Sequence, residues 1–387
     1  MKHRSALIAH SGGPTAVINA SLVGAIEQAR KRSMPIHGAR FGVSGILAED
    51  FIDLSSQPEA VLRAVEKSPG SALGSSRRPL STSDLERIIE IFRARDIRIF
   101  FYTGGNGSMA TASQIAKCAR DSGYELKVLG IPKTIDNDLE ETDHTPGYAS
   151  AARFFATAVR DIGADSKALP GQVEIIEVLG RNTGWIAAAT GLIRLREKDA
   201  PHLIYLPEER LPLQQFLGDV ERVFARLGYC VAVVCEGQLD EHGEPFGADV
   251  RSGSRGSLAM NLGHRLASLV TRNLKLRARS EKPGLLGRSA STSLAPHDLE
   301  ESRMCGVAAV DAALAGITGR MVTLVRTSDT TYGCTTGLVD LDVVAQQERL
   351  FPVEWRQPAS AEISRQFRSW VEPLTGDLPP HGELENL

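Results

Sequence analysis

The stretch IRIFFYTGGNGSMATA, Ile97 to Ala112, decides how the rest of the chain is read. Its opening residues, Ile97 to Tyr102, are rich in β-formers, and so short an apolar run suits a strand covered on both faces. Gly104-Gly105-Asn106-Gly107-Ser108 breaks the run, and a helix is expected over 108–120. A strand that leaves through glycines into a helix turns backbone N–H groups outward at the positive end of the helix dipole, where an anion is stabilised. Just upstream, Leu85, Ile88, Ile89 and Phe92 recur at i, i+3, i+4 and i+7. Ser83-Asp84-Leu85-Glu86 has capping-box spacing, so a helix is predicted over 83–95.

The same order recurs outward in both directions. Ala6 to Ala9 reads as a strand, Ser11-Gly12-Gly13-Pro14-Thr15 as its turn, and Ile18, Leu22 and Ile26 as one helical face. Further strands are expected at Leu126–Ile131, Val173–Leu179, His202–Leu206 and Tyr229–Cys235, and helices near 148–163, 183–195, 212–227 and 256–275. Repeats of this kind build an α/β fold of mostly parallel sheets with helices on both faces, which take ligands beyond the carboxyl ends of the strands. A chain of 387 residues exceeds one ordinary core. Two lobes are therefore expected, the first from 1–139 plus about 301–387 and the second from about 140–300, with the softest stretches at Asp240–Arg255 and Glu372–Leu387.

Composition narrows the function. A formal net charge of -3 gives no basic surface of the kind nucleic acid requires. The five cysteines have no CxxC pair or metal spacing, and the nine histidines form no HExxH, so reduced thiols and a cytoplasmic location are expected. The apolar run after the basic start MKHR is too short for a signal peptide, and no uncharged span reaches membrane length. Neither Walker-A nor GxGxxG spacing occurs. A third turn, Ile131-Pro132-Lys133-Thr134-Ile135-Asp136-Asn137-Asp138, carries sharper chemistry. There a lysine can neutralise phosphate oxygens and a carboxylate can accept the proton of an attacking hydroxyl.

SGGPTAVINA, GGNGS, PKTIDNDL, TPGYASAARF, EVLGRNTGW, CEG and PGLLGRS follow one another in an order and spacing that resembles the phosphofructokinase family. The resemblance runs from residue 5 to about 320 and is nearest to the pyrophosphate-dependent branch. It implies Mg²⁺-dependent transfer of a phosphoryl group from pyrophosphate to the 1-hydroxyl of fructose 6-phosphate. It also implies a homodimer or homotetramer. Asp136 matches the general base, Thr134 its neighbour at the transferred phosphoryl group, and Lys133 and Arg181 the cations that hold its charge. Gly12, Arg77, Gly105, Asn106, Gly107 and Ser108 match the donor site, with Asn106 and Asp138 toward the metal. Leu179, Gly180, Arg181 and Glu236 match the sugar site; Arg288, with Arg279 as its companion, matches the arginines that hold the sugar phosphate.

Some positions depart from the pattern. ATP users tend to have GGDGS with a glycine before TIDND, and pyrophosphate users tend to have an aspartate in place of the glycine that is Gly107 here and a lysine before TIDND. This chain combines Gly107 with Lys133. Glycine leaves the nucleotide's α-phosphate space open, which keeps ATP as an alternative donor, whereas Asn106 resembles several pyrophosphate-type relatives. Gln172 stands near where ATP enzymes place a cation, and Leu285-Leu286-Gly287 precedes Arg288, so another sugar or a cyclitol is a second alternative acceptor. A sugar-phosphate sensor without turnover is the alternative from outside enzymes. No arginine lies between Leu22 and Gln28, so little nucleotide regulation is expected.

Overall fold

The computed structural model describes residues 5–246, 250–253, 256–328, 331–355, 360–379, 382 and 384. The two soft stretches of the sequence fall partly outside these. In chain order the elements are β1 (Ser5–His10), α1 (Ile18–Lys31), β2 (Ile36–Ala39), α2 (Gly42–Leu47), β3 (Phe51–Asp53), α3 (Glu59–Glu66), α4 (Thr82–Ala94), β4 (Ile97–Gly104), α5 (Asn106–Asp121) and β5 (Lys127–Pro132). Next come α6 (Tyr148–Ala168), β6 (Gln172–Val178), α7 (Trp185–Ala189), β7 (Leu203–Tyr205), α8 (Leu213–Leu227), β8 (Cys230–Cys235), β9 (Val250–Gly253), β10 (Gly256–Ala259), α9 (Leu262–Leu274) and β11 (Arg277–Glu281). The chain closes with α10 (Leu286–Ser289), α11 (Asp298–Leu314), β12 (Arg320–Ser328), β13 (Gly333–Asp340), α12 (Leu341–Gln346) and α13 (Arg365–Thr375).

Two compact units result, Met1–Tyr148 with Arg288–Arg349 and Ala149–Gly287 with Leu350–Leu387. The first holds a seven-stranded sheet in the order β13-β12-β5-β4-β1-β2-β3, parallel except for the outermost strand at each edge. Its strands are apolar on both faces because both are covered. Ile8, Phe101, Leu129 and Val322 pack with α1 and α11, whereas their neighbours Leu7, Phe100, Val128 and Met321 pack with α4, α5 and α12. The second unit holds the all-parallel sheet β11-β6-β8-β7, with Val173, Ile175, Ala232 and Val234 buried against α8 and α9.

Several expectations shift in the folded chain. The capping box before α4 is Ser81 with Asp84, two residues upstream of the expected pair: Asp84 N–H donates to Ser81 Oγ at 3.2 Å and Ser81 N–H to Asp84 Oδ2 at 3.0 Å. Ser81 has the extended backbone an N-cap needs, while Ser83 is already helical. The helix expected from 256 starts only at Leu262, because Gly256–Ala259 pairs with β9. The helix expected over 183–195 is α7 followed by a 3₁₀ turn.

Residues 350–387, expected in the first lobe, belong to the second unit. The reason is aromatic packing: the fully buried Trp185 meets Phe351 at 5.1 Å, Trp370 at 5.2 Å and Trp355 at 6.0 Å between ring centres. Among the described residues, all five cysteines are free thiols and no helix is long and apolar enough to cross a membrane.

Candidate active site

In the first unit β1 lies between β4 and β2, so the chain leaves β1 toward one side and β4 toward the other, the switch point where open α/β sheets bind ligands. The turn after β1 is held by Gly12, whose φ of 76° suits glycine and whose N–H donates to Ser76 O at 3.0 Å. Ser75 Oγ donates to Gly12 O at 2.6 Å, which brings the adjoining Arg77 to the same turn. Two arginines close on Gly13: a Cβ there would stand 2.5 Å from Arg288 Nη1 and 3.3 Å from Arg77 Nη2. Lys133, buried at 4% exposure, donates from Nζ to Gly13 O at 2.7 Å. Three cations from three distant stretches therefore gather at one glycine turn. His10, wholly buried at the end of β1, is pushed down to about 3 by burial and by Lys133, so it adds no charge.

At the end of β4, α5 begins with Gly105 as its cap, no capping side chain and no acid in its first turn. Its first N–H groups and dipole are thus left for an anion. Ser108 N–H bonds to Gly105 O at 2.8 Å, and Gly104 carries no side chain because Ser108 Oγ occupies that space. A side chain at Gly107 would meet nothing within 4 Å. Asn106 is buried, and its Nδ2 donates to Asp138 O at 3.0 Å and Asp138 Oδ2 at 3.2 Å. An aspartate at 106 would set two carboxylates against each other there; the amide replaces repulsion by a donated hydrogen bond. Asn106 Oδ1 is buried without a hydrogen-bond donor. That oxygen beside a carboxylate fits a hard divalent cation, and Mg²⁺ needs only one or two protein oxygens when phosphate and water complete its shell. No cluster of three metal-binding side chains exists among the described residues.

The turn after β5 is braced internally. Asp136 N–H donates to Thr134 Oγ1 at 3.1 Å, Thr145 Oγ1 to Thr134 O at 2.8 Å, and Thr145 N–H to Asn137 Oδ1 at 3.0 Å. Asn137, with φ of 55°, takes the left-handed conformation that asparagine tolerates and that turns the chain between the two aspartates. Arg349, which no motif pointed to, donates its backbone N–H to Asp138 O at 3.0 Å.

In the second unit Val178 is followed by Leu179, by Gly180 at φ 140° and by Arg181 at φ 51°. Cys235 directs its thiol at Arg181 O, 3.5 Å away, and Gly237 is glycine because a Cβ would collide with that same carbonyl. Glu236 N–H reaches back to Val178 O at 3.0 Å. Burial raises the Glu236 carboxyl above its usual range, and the Arg181 charge works against that rise. Glu177, buried at the end of the same strand, pairs with Lys282 at 2.5 Å and accepts Gly263 N–H at 2.9 Å at the start of α9. Arg279 is not brought to this end. It stands exposed in the middle of the edge strand β11, in register with Glu174. Gln172 is the first residue of β6, at the far end of the strand from Arg181. Sequence reasoning missed Glu177, Lys282 and Arg349; β6 is buried along its whole length, so no alternation marked Glu177.

The phosphofructokinase family model matches residues 5–313. The chain is 37% identical to a pyrophosphate–fructose 6-phosphate 1-phosphotransferase of Xanthomonas campestris over 98% of this chain and 93% of the relative. It is 31% identical to a sulfofructose kinase of Alkalicoccus urumqiensis over 96% of each. It also resembles the crystal structure of a pyrophosphate-dependent phosphofructokinase from Marinobacter aquaeolei, with a TM-score of 0.86, 35% identity and coverage of 98% and 94%. With cations gathered on a glycine turn, an uncapped helix start beside an Asn–Asp pair, and matches over nearly its whole length, this α/β phosphotransferase belongs to the phosphofructokinase family.

Proposed function

We propose that the protein transfers a phosphoryl group from pyrophosphate to the 1-hydroxyl of fructose 6-phosphate, giving fructose 1,6-bisphosphate. The observation that carries this reading is the gathering of Lys133, Arg77 and Arg288 at Gly12–Gly13. Phosphoryl transfer needs little covalent chemistry from a protein and much positioning of positive charge. The donor named for the Xanthomonas and Marinobacter relatives is pyrophosphate, which makes ATP the weaker alternative.

In this reading Asp136 accepts the proton of the attacking hydroxyl, and Thr134 and Lys133 contact the transferring group. Arg181 offers a planar guanidinium to its equatorial oxygens. Glu236 accepts sugar hydroxyls, and Gly180 and Leu179 shape their approach. Arg288 serves the sugar phosphate, while Arg279 is assigned the same role by resemblance alone. Gly12, Arg77, Gly105, Gly107 and Ser108 take the donor phosphates. Asn106 and Asp138 would hold Mg²⁺, which when bound neutralises phosphate charge. A homo-oligomer and a cytoplasmic place in sugar breakdown complete the proposal.

The sulfofructose kinase favours a second reading, an acceptor that carries another anionic group at its sixth carbon. Formation of the 1-phosphorylated product by the purified protein with Mg²⁺ tests both, with pyrophosphate against ATP and fructose 6-phosphate against its sulfonate analogue. Turnover with pyrophosphate and fructose 6-phosphate at the highest kcat/KM supports the proposal. A clear preference for the sulfonate or for ATP moves it to the corresponding alternative.

A further inference from the structure

Behind the turn that carries Asp136 and Asp138 lies a buried cluster of charge that the reaction described above does not use. Segment 142–145 joins β12 along its side: Asp143 N–H donates to Leu324 O at 2.8 Å, and Leu324 N–H to Thr142 Oγ1 at 2.9 Å. The Arg349 side chain donates to Thr142 O at 2.8 Å and Asp143 O at 2.6 Å, on the residue whose backbone already holds Asp138 O. Arg326 lies 3.2 Å from both oxygens of Asp143. At the centre His144, with no exposed surface, sets Nδ1 2.9 Å from Asp143 Oδ2 and Nε2 2.9 Å from Glu301 Oε2. Glu301 belongs to α11 and also accepts Tyr332 O–H at 2.5 Å.

A neutral imidazole has one N–H and one lone pair. Facing carboxylates with both nitrogens, it would press the lone pair against negative charge; only the doubly protonated ring satisfies both sides. We propose that His144 is a positioning residue for phosphoryl transfer: as an imidazolium bracketed by Asp143 and Glu301, it holds the Asp136–Asp138 turn against β12 and α11. The proposal rests on the phosphotransfer reading above.

The remaining groups around the bracket agree with a fixed positive ring. His297, at the cap of α11, and Asp298 in its first turn precede Glu301, Cys334 comes from β13, and Glu140 faces Arg349. Burial pulls the ring downward, but the two carboxylates outweigh it and hold His144 up to about 9. Asp143 and Glu301 stay below the usual carboxylate range despite their burial. Because the folded value lies above the ordinary 6.5, the bracket is fully present below that pH and is lost as pH rises through about 9.

The test compares the full-length protein with His144→Gln and Tyr332→Phe in steady-state kinetics from pH 6 to 10, with pyrophosphate, Mg²⁺ and fructose 6-phosphate. Glutamine keeps one hydrogen bond and removes the charge. Expected for His144→Gln at pH 7 is a fall in kcat of roughly 10- to 100-fold, the scale of an ångström's misplacement, with both KM values nearly unchanged. The parent's alkaline fall in kcat near pH 9 should be absent from this variant. Tyr332→Phe strips Glu301 of a donor, so it should move the alkaline midpoint upward while kcat at pH 7 stays within about twofold. A His144→Gln protein that melts earlier but keeps the parent's kcat and pH profile overturns the proposal. If that variant does not fold, an unmoved midpoint in Tyr332→Phe overturns it instead. An inactive parent would sink the phosphotransfer reading, and NMR titration of ¹⁵N-labelled histidine then reads the bracket directly: a ring titrating near 9 retains it, and its absence removes it.

Discussion

The strand ends of the two units share their architecture and differ in charge. In the first unit, parallel strands run into glycine turns around which Lys133, Arg77 and Arg288 gather, with a helix N-terminus alongside. In the second, the corresponding ends of β6 and β8 gather the carboxylates Glu177 and Glu236 against Arg181 and Lys282. The backbone pattern is the same, so the fold alone does not say what is bound. The first arrangement suits phosphate oxygens; the second suits hydroxyl groups, which need acceptors, with cations enough to prevent accumulated negative charge. The difference teaches that the contrast in charge comes from residues at and beside the strand ends, on sheets that merely present them.

The largest effect that tests this division is Asp136→Ala, expected to lower kcat by about 10³-fold with the melting temperature shifted by only a few degrees. Stopped-assay bisphosphate formation checks it, and activity near the parent's would show that the first unit's turn is not where the proton goes. Arg181→Lys comes next. Replacing a planar fork by a point charge is expected to lower kcat/KM about 100-fold, read from initial rates at limiting fructose 6-phosphate. A loss confined to KM would place Arg181 on the sugar alone.

Gly107→Asp sharpens the first unit's preference for its donor. The position is open, so the carboxylate is accommodated without strain and should suppress any ATP use while sparing pyrophosphate use. Unchanged ATP kinetics would remove the steric account of donor choice. Asn106→Asp addresses the same pocket more gently. Setting a second carboxylate beside Asp138 is expected to destabilise the metal-free protein by about 1–2 kcal/mol, and excess Mg²⁺ to restore it. Melting curves in chelator and in Mg²⁺ make the comparison; identical curves would mean the pair holds no cation.

The smallest effect contrasts one buried histidine from each unit. His10 and His202 are pushed down to about 3 and about 4, chiefly by burial, so both are neutral in the fold and protonate on unfolding near the ordinary 6.5. Their contribution is complete above that value and is lost as pH falls toward 4 and 3. His202→Gln should therefore flatten the upper part of the acid limb of stability, measured by urea unfolding between pH 4 and 7. An unchanged slope would mean that His202 takes up its proton in the fold at about the ordinary value and is not held neutral there.

How far the site could be read depends on where its signals lie along the chain. Gly12, Gly104–Ser108 and Lys133–Asp138 sit in short, local patterns at strand ends, and turn chemistry needs only neighbours in sequence. Arg349 leaves no such trace: its hydrogen bond to Asp138 spans more than two hundred residues. Arg279 stands apart from the local patterns. The resemblance alone proposes it, and register places it mid-strand on an exposed edge. The aromatic segment around Trp355 and Trp370 is expected with the first lobe until Trp185 is found among those rings.

By itself the sequence determined the βα rhythm, the glycine turns, the family and the candidate groups proposed for the chemistry, because each rests on periodicity or on residues adjacent in the chain. Tertiary structure alone decided which cations share a turn, why position 106 is an amide, and that His144 is gripped from both sides. Those are properties of atoms a few ångströms apart in space, contributed by stretches that the sequence keeps far apart.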